Sequence, residues 1–266
     1  MKSLQTDVST RIIGDNELRR LVMTNEIPIR KYILYRGIFM SLKKIIACLI
    51  GLFTLSAFSF AAAATATAKT PKAKFTVVLD AGHGGIDGGV TGITTNVKES
   101  DLNLEIVYAL KKRLEKFGFN VVLTRNSKAG LYGSSVNGFK KRDMQKRREI
   151  INGCNADAFV SVHLNYYSSP TRRGAQAFFK ADNESSRALA DCLQQSVNTL
   201  SGQPRELFAL QGDYYVLNES EPPAALVECG FLSNEEDEKL LVTSEYQAEI
   251  AQKLAVGIYK FLYSIR

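Results

Sequence analysis

The chain has 266 residues, 45% of them hydrophobic and 23% charged, which suits one globular domain of up to about 200 residues plus an extension. The net charge of +7 lies before residue 75: residues 1–44 hold nine Lys/Arg against four Asp/Glu, Lys69, Lys72 and Lys74 follow, and residues 75–266 hold 22 against 23. A basic balance confined to an extension gives no reason to expect a nucleic-acid partner.

Met40-Ser41-Leu42-Lys43-Lys44 leads into an uncharged run from Ile45 to Ala68, whose strongly apolar part, Ile45 to Phe60, spans 16 residues. Small residues spaced A-x-A follow at Ala64-Thr65-Ala66 and Ala66-Thr67-Ala68. A basic start, an apolar middle and small residues make an export signal over residues 40–68. If Ala61 to Ala64 join the run, it is also long enough to be a membrane anchor. Met40 then reads as the working start, with residues 1–39 an upstream extension or, on an anchored protein, a cytoplasmic tail. Residues 69–74 read as a short linker. The domain after it is expected outside the cytoplasmic membrane: in the periplasm, in the wall or on the membrane's outer face.

From Phe75 strand and helix signals alternate. The apolar runs predict strands at 75–80, 119–125, 157–164, 174–180, 214–218 and 224–229, and helical spacing predicts helices at 101–117, 140–153, 184–200 and 244–263. In the first helix Leu102, Leu104, Ile106, Val107, Leu110, Leu114 and Phe117 share one face, Ser100 or Asp101 is a candidate cap, and Gly118 ends it. The alternation predicts an α/β sandwich in which helices flank a mainly parallel, six-stranded sheet, as a single domain over 75–266. Of four cysteines, Cys48 lies in the extension, and Cys154, Cys192 and Cys229 form neither a CxxC pair nor an even framework, so they read as small buried hydrophobes. Lys140-Lys141-Arg142 and Lys146-Arg147-Arg148 read as a solvated helix face.

Sites in parallel sheets form at the carboxyl ends of strands. His83 and His163, the two histidines of the chain, both follow apolar runs, and Glu228 closes the run Ala224-Ala225-Leu226-Val227. Glu99 precedes the first helix, where the N-terminal dipole favours an ionised carboxylate. A charged residue on an apolar strand is costly unless it has a partner. Two imidazoles and a carboxylate, with water in the fourth position, suit catalytic zinc. The separate residues have blander readings as hydrogen-bonded histidines and structural carboxylates, and their wide spacing forms no compact metal motif.

Four stretches carry a family resemblance. Val77 to Gly85 followed by Asp87-Gly88-Gly89-Val90-Thr91-Gly92 resembles the opening signature of the zinc-dependent N-acetylmuramoyl-L-alanine amidases. Lys98 to Leu104, Phe159 to Asn165 and Leu226 to Asn234 are similar to the second, third and fourth motifs, in family order. The resemblance covers about residues 75–263. It implies zinc held by His83, Glu99 and His163, and a catalytic Glu228 that passes a proton from water to the leaving nitrogen. The implied substrate is the amide between the lactyl group of N-acetylmuramic acid in peptidoglycan and the first L-alanine of the stem peptide. The short Arg173–Leu226 interval, without a long inserted helix, looks like the compact spore-cortex amidases, which act so that a muramic lactam can form.

Asn165, Arg172 and Arg173 are candidate substrate contacts, since guanidinium forks suit peptide carboxylates. One member of the basic run is a candidate contact for anionic wall polymer. The expected assembly is a monomer that meets the membrane only through its N-terminal segment. Two rival readings are a non-catalytic wall-binding module of the same fold and a nucleotide loop at Gly82 to Gly89. The first would be signalled by loss of a ligand or of Glu228, and all four residues are present. The second lacks GxGxxG and Gly-Lys-Ser/Thr and leaves His83 without a role.

Overall fold

The computed structural model describes residues 75–134 and 136–264, together with helical positions 31, 33, 34, 40, 41 and 43–47. The chain divides into two compact units, residues 1–71 and 72–266. Most of the expected export segment lies outside the described residues, and among those described no helix is long and apolar enough to cross a membrane.

In the second unit the elements run β1 (Thr76–Ala81), α1 (Glu99–Lys116), β2 (Asn120–Leu123), α2 (Phe139–Asn152), β3 (Ala158–Asn165) and β4 (Gln176–Phe179). They continue with α3 (Glu184–Val197), β5 (Leu210–Gln211), α4 (Tyr215–Asn218), β6 (Ala224–Phe231), α5 (Glu235–Leu241) and α6 (Ser244–Ser264). The six strands form one sheet in the order β2-β1-β3-β6-β4-β5. Pairing is parallel throughout except between β4 and β6. The α/β architecture is the one expected.

Central position explains the apolar runs: all eight residues of β6 are buried, as strands covered on both faces must be. On one face Leu79, Val160, Val162 and Val227 pack with the apolar stripes of α1, α3 and α6. On the other, Val78, Phe159 and Leu226 meet Ile151 of α2 and Val216 and Leu217 of α4.

Three local expectations are corrected. Residues 214–218 are not a strand: 215–218 form one turn of helix, and the edge strand is the two-residue Leu210–Gln211. Tyr214, Val216 and Leu217 pack on the second core cluster from outside the sheet, so their apolar character serves a helix turn. Neither Ser100 nor Asp101 caps α1. Its N-cap is Lys98, without a side-chain bond, because the preceding loop supplies carbonyls: Glu99 N–H donates to Val90 O at 2.9 Å and Ser100 N–H to Gly88 O at 3.1 Å. The C-terminal stop holds, with Gly118 at φ +81° and the Phe119 amide bonded back to Leu114 O at 3.1 Å, the left-handed helix ending that glycine permits. Finally, Arg147 is not on a solvated face but is 1% exposed.

Candidate active site

Parallel register sets the site. His163, near the end of β3, lies directly opposite Glu228 on β6, so both side chains leave the same face of the sheet. His83 lies two residues beyond β1 in a loop where its φ is +62°. Glu99 opens α1 and points back to the sheet edge.

His83, Glu99 and His163 converge, with one ligating atom from each lying within 4.8 Å of the others. Glu99 Oε1 is 2.9 Å from His163 Nδ1 and 3.3 Å from His83 Nε2. The imidazoles stand edge to face, 5.0 Å between centroids. The other ring nitrogen of His83, Nδ1, is 3.0 Å from Asp87 Oδ1, the carboxylate–imidazole pairing that orients ligating histidines. Two glycines make the approach possible. A Cβ on Gly82 would lie 2.2 Å from His163 Cε1, and one on Gly89 2.3 Å from Glu99 Oε2.

The carboxylates and imidazoles set one another's charge. Burial opposes a charge on His83, but hydrogen bonds to Asp87 and Glu99 outweigh it and hold the imidazole up at about 9. Burial likewise opposes the charge on Glu99, yet hydrogen bonds from His163 and His83 hold its carboxyl well below the usual range. Glu99 also accepts from Val90 N–H at 2.9 Å, Leu164 N–H at 3.2 Å and Asn103 Nδ2 at 3.2 Å. Glu228 is 8% exposed, and its Oε2 is buried with no hydrogen-bond partner. Burial pushes its carboxyl up to about 7; the imidazoles pull it partly down and the Glu99 charge adds to the rise.

Beneath the pair of histidines lies a buried polar cage. Arg147 donates to Asp143 Oδ2 at 2.7 Å and pairs with Asp80, and it also donates to the carbonyls of Ala81 at 2.9 Å and His83 at 2.6 Å. Arg125 donates to the carbonyls of Ala81, Gly82 and Ser100 at 2.8, 3.0 and 2.7 Å. Three consecutive carbonyls of the His83 loop are thus gripped by two arginines. A cavity of about 250 Å³ opens beside the histidines, walled by Tyr132, Phe139, Met144 and Tyr214, with Lys140 and Asp87 also lining it.

The candidate substrate contacts separate. Asn165 Oδ1 accepts from Tyr166 N–H at 2.8 Å. Arg172 is exposed and stacks on the Tyr167 ring, 3.9 Å from its centroid. Arg173 faces inward, pairing with Glu236 and lying 3.3 Å from Asp237, with Gly202 O accepting at 3.2 Å. Cys154, Cys192 and Cys229 are free thiols. Asp80, Asp87 and Arg125 carry no role in the sequence reading, and Arg147 has there only that of a solvated cation. Asp80 carried a usable signal, a carboxylate within an apolar strand.

Comparison with known proteins agrees with this geometry. Residues 77–260 match the family model described as N-acetylmuramoyl-L-alanine amidase. The chain is 32% identical over 189 residues to the germination-specific N-acetylmuramoyl-L-alanine amidase of Bacillus subtilis, covering 70% of this chain and 78% of the relative. Among solved structures, the CwlD amidase from Clostridioides difficile, in complex with the GerS lipoprotein, superposes with TM-score 0.69 at 36% identity, over 71% of this chain and 99% of that one. An N-acetylmuramoyl-L-alanine amidase from Clostridium difficile 630 superposes with TM-score 0.64 at 31% identity, over 71% and 97%. With family model, relatives and fold in agreement, the chain belongs to the N-acetylmuramoyl-L-alanine amidases and is a hydrolase of that type.

Proposed function

We propose that this amidase is zinc-dependent, acts outside the cytoplasmic membrane, and hydrolyses the bond between N-acetylmuramic acid and L-alanine in spore-cortex peptidoglycan. The observation that carries the reaction is the convergence of His83, Glu99 and His163 with the partnerless Glu228 across from His163. The donor set fits zinc: two nitrogens and one carboxylate oxygen, with glycines clearing the space around them. Bound there, zinc supplies a Lewis acid that polarises the amide carbonyl and lowers the pKa of water from about 15.7 toward about 7.

The chain's own residues do the rest. Asp87 orients the His83 imidazole through its other ring nitrogen, and the two buried arginines fix the backbone that carries His83. Glu228, buried and with one oxygen left without a partner, is poised to take the proton of the attacking water and return it to the leaving alanine nitrogen, the work of a general acid–base group. The cavity walled by Tyr132, Phe139 and Tyr214 is a place for substrate beside the reacting bond. The cortex assignment rests on likeness to the germination-specific relative and on the compact form of the domain. The export reading rests on residues 40–68.

Muropeptide mass spectrometry tests the reaction. Cortex and vegetative peptidoglycan are digested in parallel with the protein, with and without a chelator. Free stem peptides beginning in L-alanine and peptide-less glycan are expected, more from cortex, and lost on chelation. Intact stems, or cleaved glycan with its peptides still attached, would overturn the reading. Equal or better release from vegetative wall would remove the cortex assignment alone.

A further inference from the structure

The end of the sheet remote from the site carries its own surface. Parallel strands put the amino ends of β1 and β2 at that end, together with the carboxyl ends of α1 and α6. Five aromatic residues gather there. Phe75 packs edge-on against Phe119 and Tyr263 at 5.6 and 5.4 Å between centroids. Tyr259 stacks on Tyr263 at 4.4 Å and meets Phe117 at 5.4 Å. Phe117 and Tyr259 are each 40% exposed, whereas Phe119, which both rings meet, is buried. Exposed Lys116 and Lys260 sit next to them in sequence.

Two further facts say what this surface meets. Phe75, a member of the cluster, is where the chain enters the domain, and the six residues before it include Lys69, Lys72 and Lys74, preceded by the uncharged run 45–68. Phenolic rings beside lysines are the residues that settle at a bilayer's headgroup level, ring in the acyl boundary and polar tip in water. Lysines add attraction to anionic headgroups, about 5-fold in binding for each one near the surface. The geometry of α1 supplies the orientation. It begins at Glu99 in the site and ends at Lys116 beside Phe117, an 18-residue helix about 27 Å long.

We propose that the face around Phe117 and Tyr259 docks on the anionic lipid surface of the cytoplasmic membrane, holding the catalytic end of the sheet roughly a helix length away and turned toward the wall. This adds a second membrane contact to the one expected at residues 40–68. It rests on the export reading and not on the amidase assignment.

The chain contains no tryptophan, so one introduced residue reports its own surroundings. The full chain is prepared as Tyr259→Trp, as Phe117→Trp in case the first variant misfolds, and as Tyr166→Trp at the catalytic end. Each is bound to phosphatidylglycerol-containing vesicles with plain or brominated acyl chains. Emission at 259 and 117 should be lost in brominated vesicles and retained at 166, and the loss should shrink when phosphatidylcholine replaces phosphatidylglycerol. Unquenched emission at 259 and 117 in vesicle-bound protein would overturn docking while leaving export intact. Quenching at all three positions would overturn the orientation. Protein that does not float with vesicles would overturn both docking and the anchor. A blue shift at 259 that grows with protein concentration without lipid would assign the face to a second copy instead. Amide release from soluble muropeptides, measured on the same samples, keeps these outcomes separate from the reaction itself.

Discussion

The corner around Glu99 and the corner around Glu228 lie at the same end of one sheet and differ in how far their polar groups are satisfied. Glu99 lies against both imidazoles and accepts from two backbone amides and Asn103. Behind it, two buried arginines hold the loop carbonyls of residues 81–83. Glu228 has a buried oxygen with no partner at all. A buried polar atom left unpaired costs about 1–3 kcal/mol, so the contrast is not free to drift. A group that must hold an ion gains from having every other lone pair fixed beforehand. A group that must take a proton from water needs a lone pair left open. On the proposed reading, the fold fixes the carboxylate that would hold zinc and leaves a lone pair open on the one that would take a proton.

The sharpest way to break this comparison is to neutralise each carboxylate in turn. Glu228→Gln keeps size and removes the base, so amide cleavage should fall by about 10²–10⁴-fold with the metal retained. Glu99→Gln removes a charged ligand and should lose metal and activity together. Metal content by elemental analysis and stem-peptide release, measured on both proteins, decide the matter. If Glu228→Gln loses metal while Glu99→Gln keeps it, the roles are exchanged. If Glu228→Gln keeps full activity, the base lies elsewhere.

The satisfied corner should be fragile in a different currency. Arg147→Met leaves Asp80 and Asp143 buried without their guanidinium and releases the carbonyls of Ala81 and His83. Removing one partner from a buried pair typically destabilises by about 3–5 kcal/mol. Urea unfolding should show that loss, and the surviving folded protein should bind zinc more weakly in a chelator competition, because the loop bearing His83 is no longer held. Unchanged stability and affinity would mean the cage contributes nothing to the site.

Acid tests the same cage more gently. Burial would raise the Asp80 carboxyl, but Arg147, with the hydroxyls of Ser161 and Thr124, brings it from the ordinary 3.8 down to about 2. A carboxyl depressed in the folded state contributes stability above pH 3.8, and that contribution is lost as pH falls through about 2. The amount is on the order of 2 kcal/mol. The stability gap between the natural protein and Asp80→Asn, followed by urea unfolding from pH 5 downward, should therefore close as pH approaches about 2. A gap that stays constant over that range would show that Asp80 is not held ionised by Arg147.

Much of this was legible in the sequence, for a physical reason. Strands covered on both faces need unbroken apolar runs, so β1, β3 and β6 announce themselves, and chemistry-bearing residues at their carboxyl ends stand out against that background. His83, His163 and Glu228 stand out in that way; Glu99, at the start of α1, does not, and it joins them only through the family resemblance. What was hidden is what depends on long-range partners. Arg147 sits in a run of cations that looks solvated, and its burial is explained by Asp80, 67 positions away, and the carbonyls of Ala81 and His83, with Asp143 on its own helix. Glu235-Glu236-Asp237-Glu238 looks like surface, yet Glu238 is 1% exposed and takes the amides of Thr94 and Thr95 at 3.0 and 2.8 Å, while Asp237 takes that of Gly174 at 2.7 Å. Asp237 also lies 3.3 Å from Arg173, a partner that nothing local announces. The helix turn at 215–218 escaped because four residues are too few for a period to appear.

The smallest expected effect concerns Cys229, the neighbour of Glu228 on β6. Successive side chains of a strand point to opposite faces. Glu228 faces the site, whereas Cys229 belongs to the core packed by α1, α3 and α6. Burial pushes its thiol far up, and the Glu228 charge adds to that, so the reactive thiolate is absent at neutral pH. Cys229→Ala removes one sulfur from a packed core and should cost about 1 kcal/mol, with amide release unchanged. Native protein treated with iodoacetamide should be labelled at the half-buried Cys154 or Cys192 before Cys229, and should stay active. A large loss of activity in Cys229→Ala at normal metal content would join the two neighbours functionally, and the division between a filled corner and an open one would have to be redrawn to include the strand's other face.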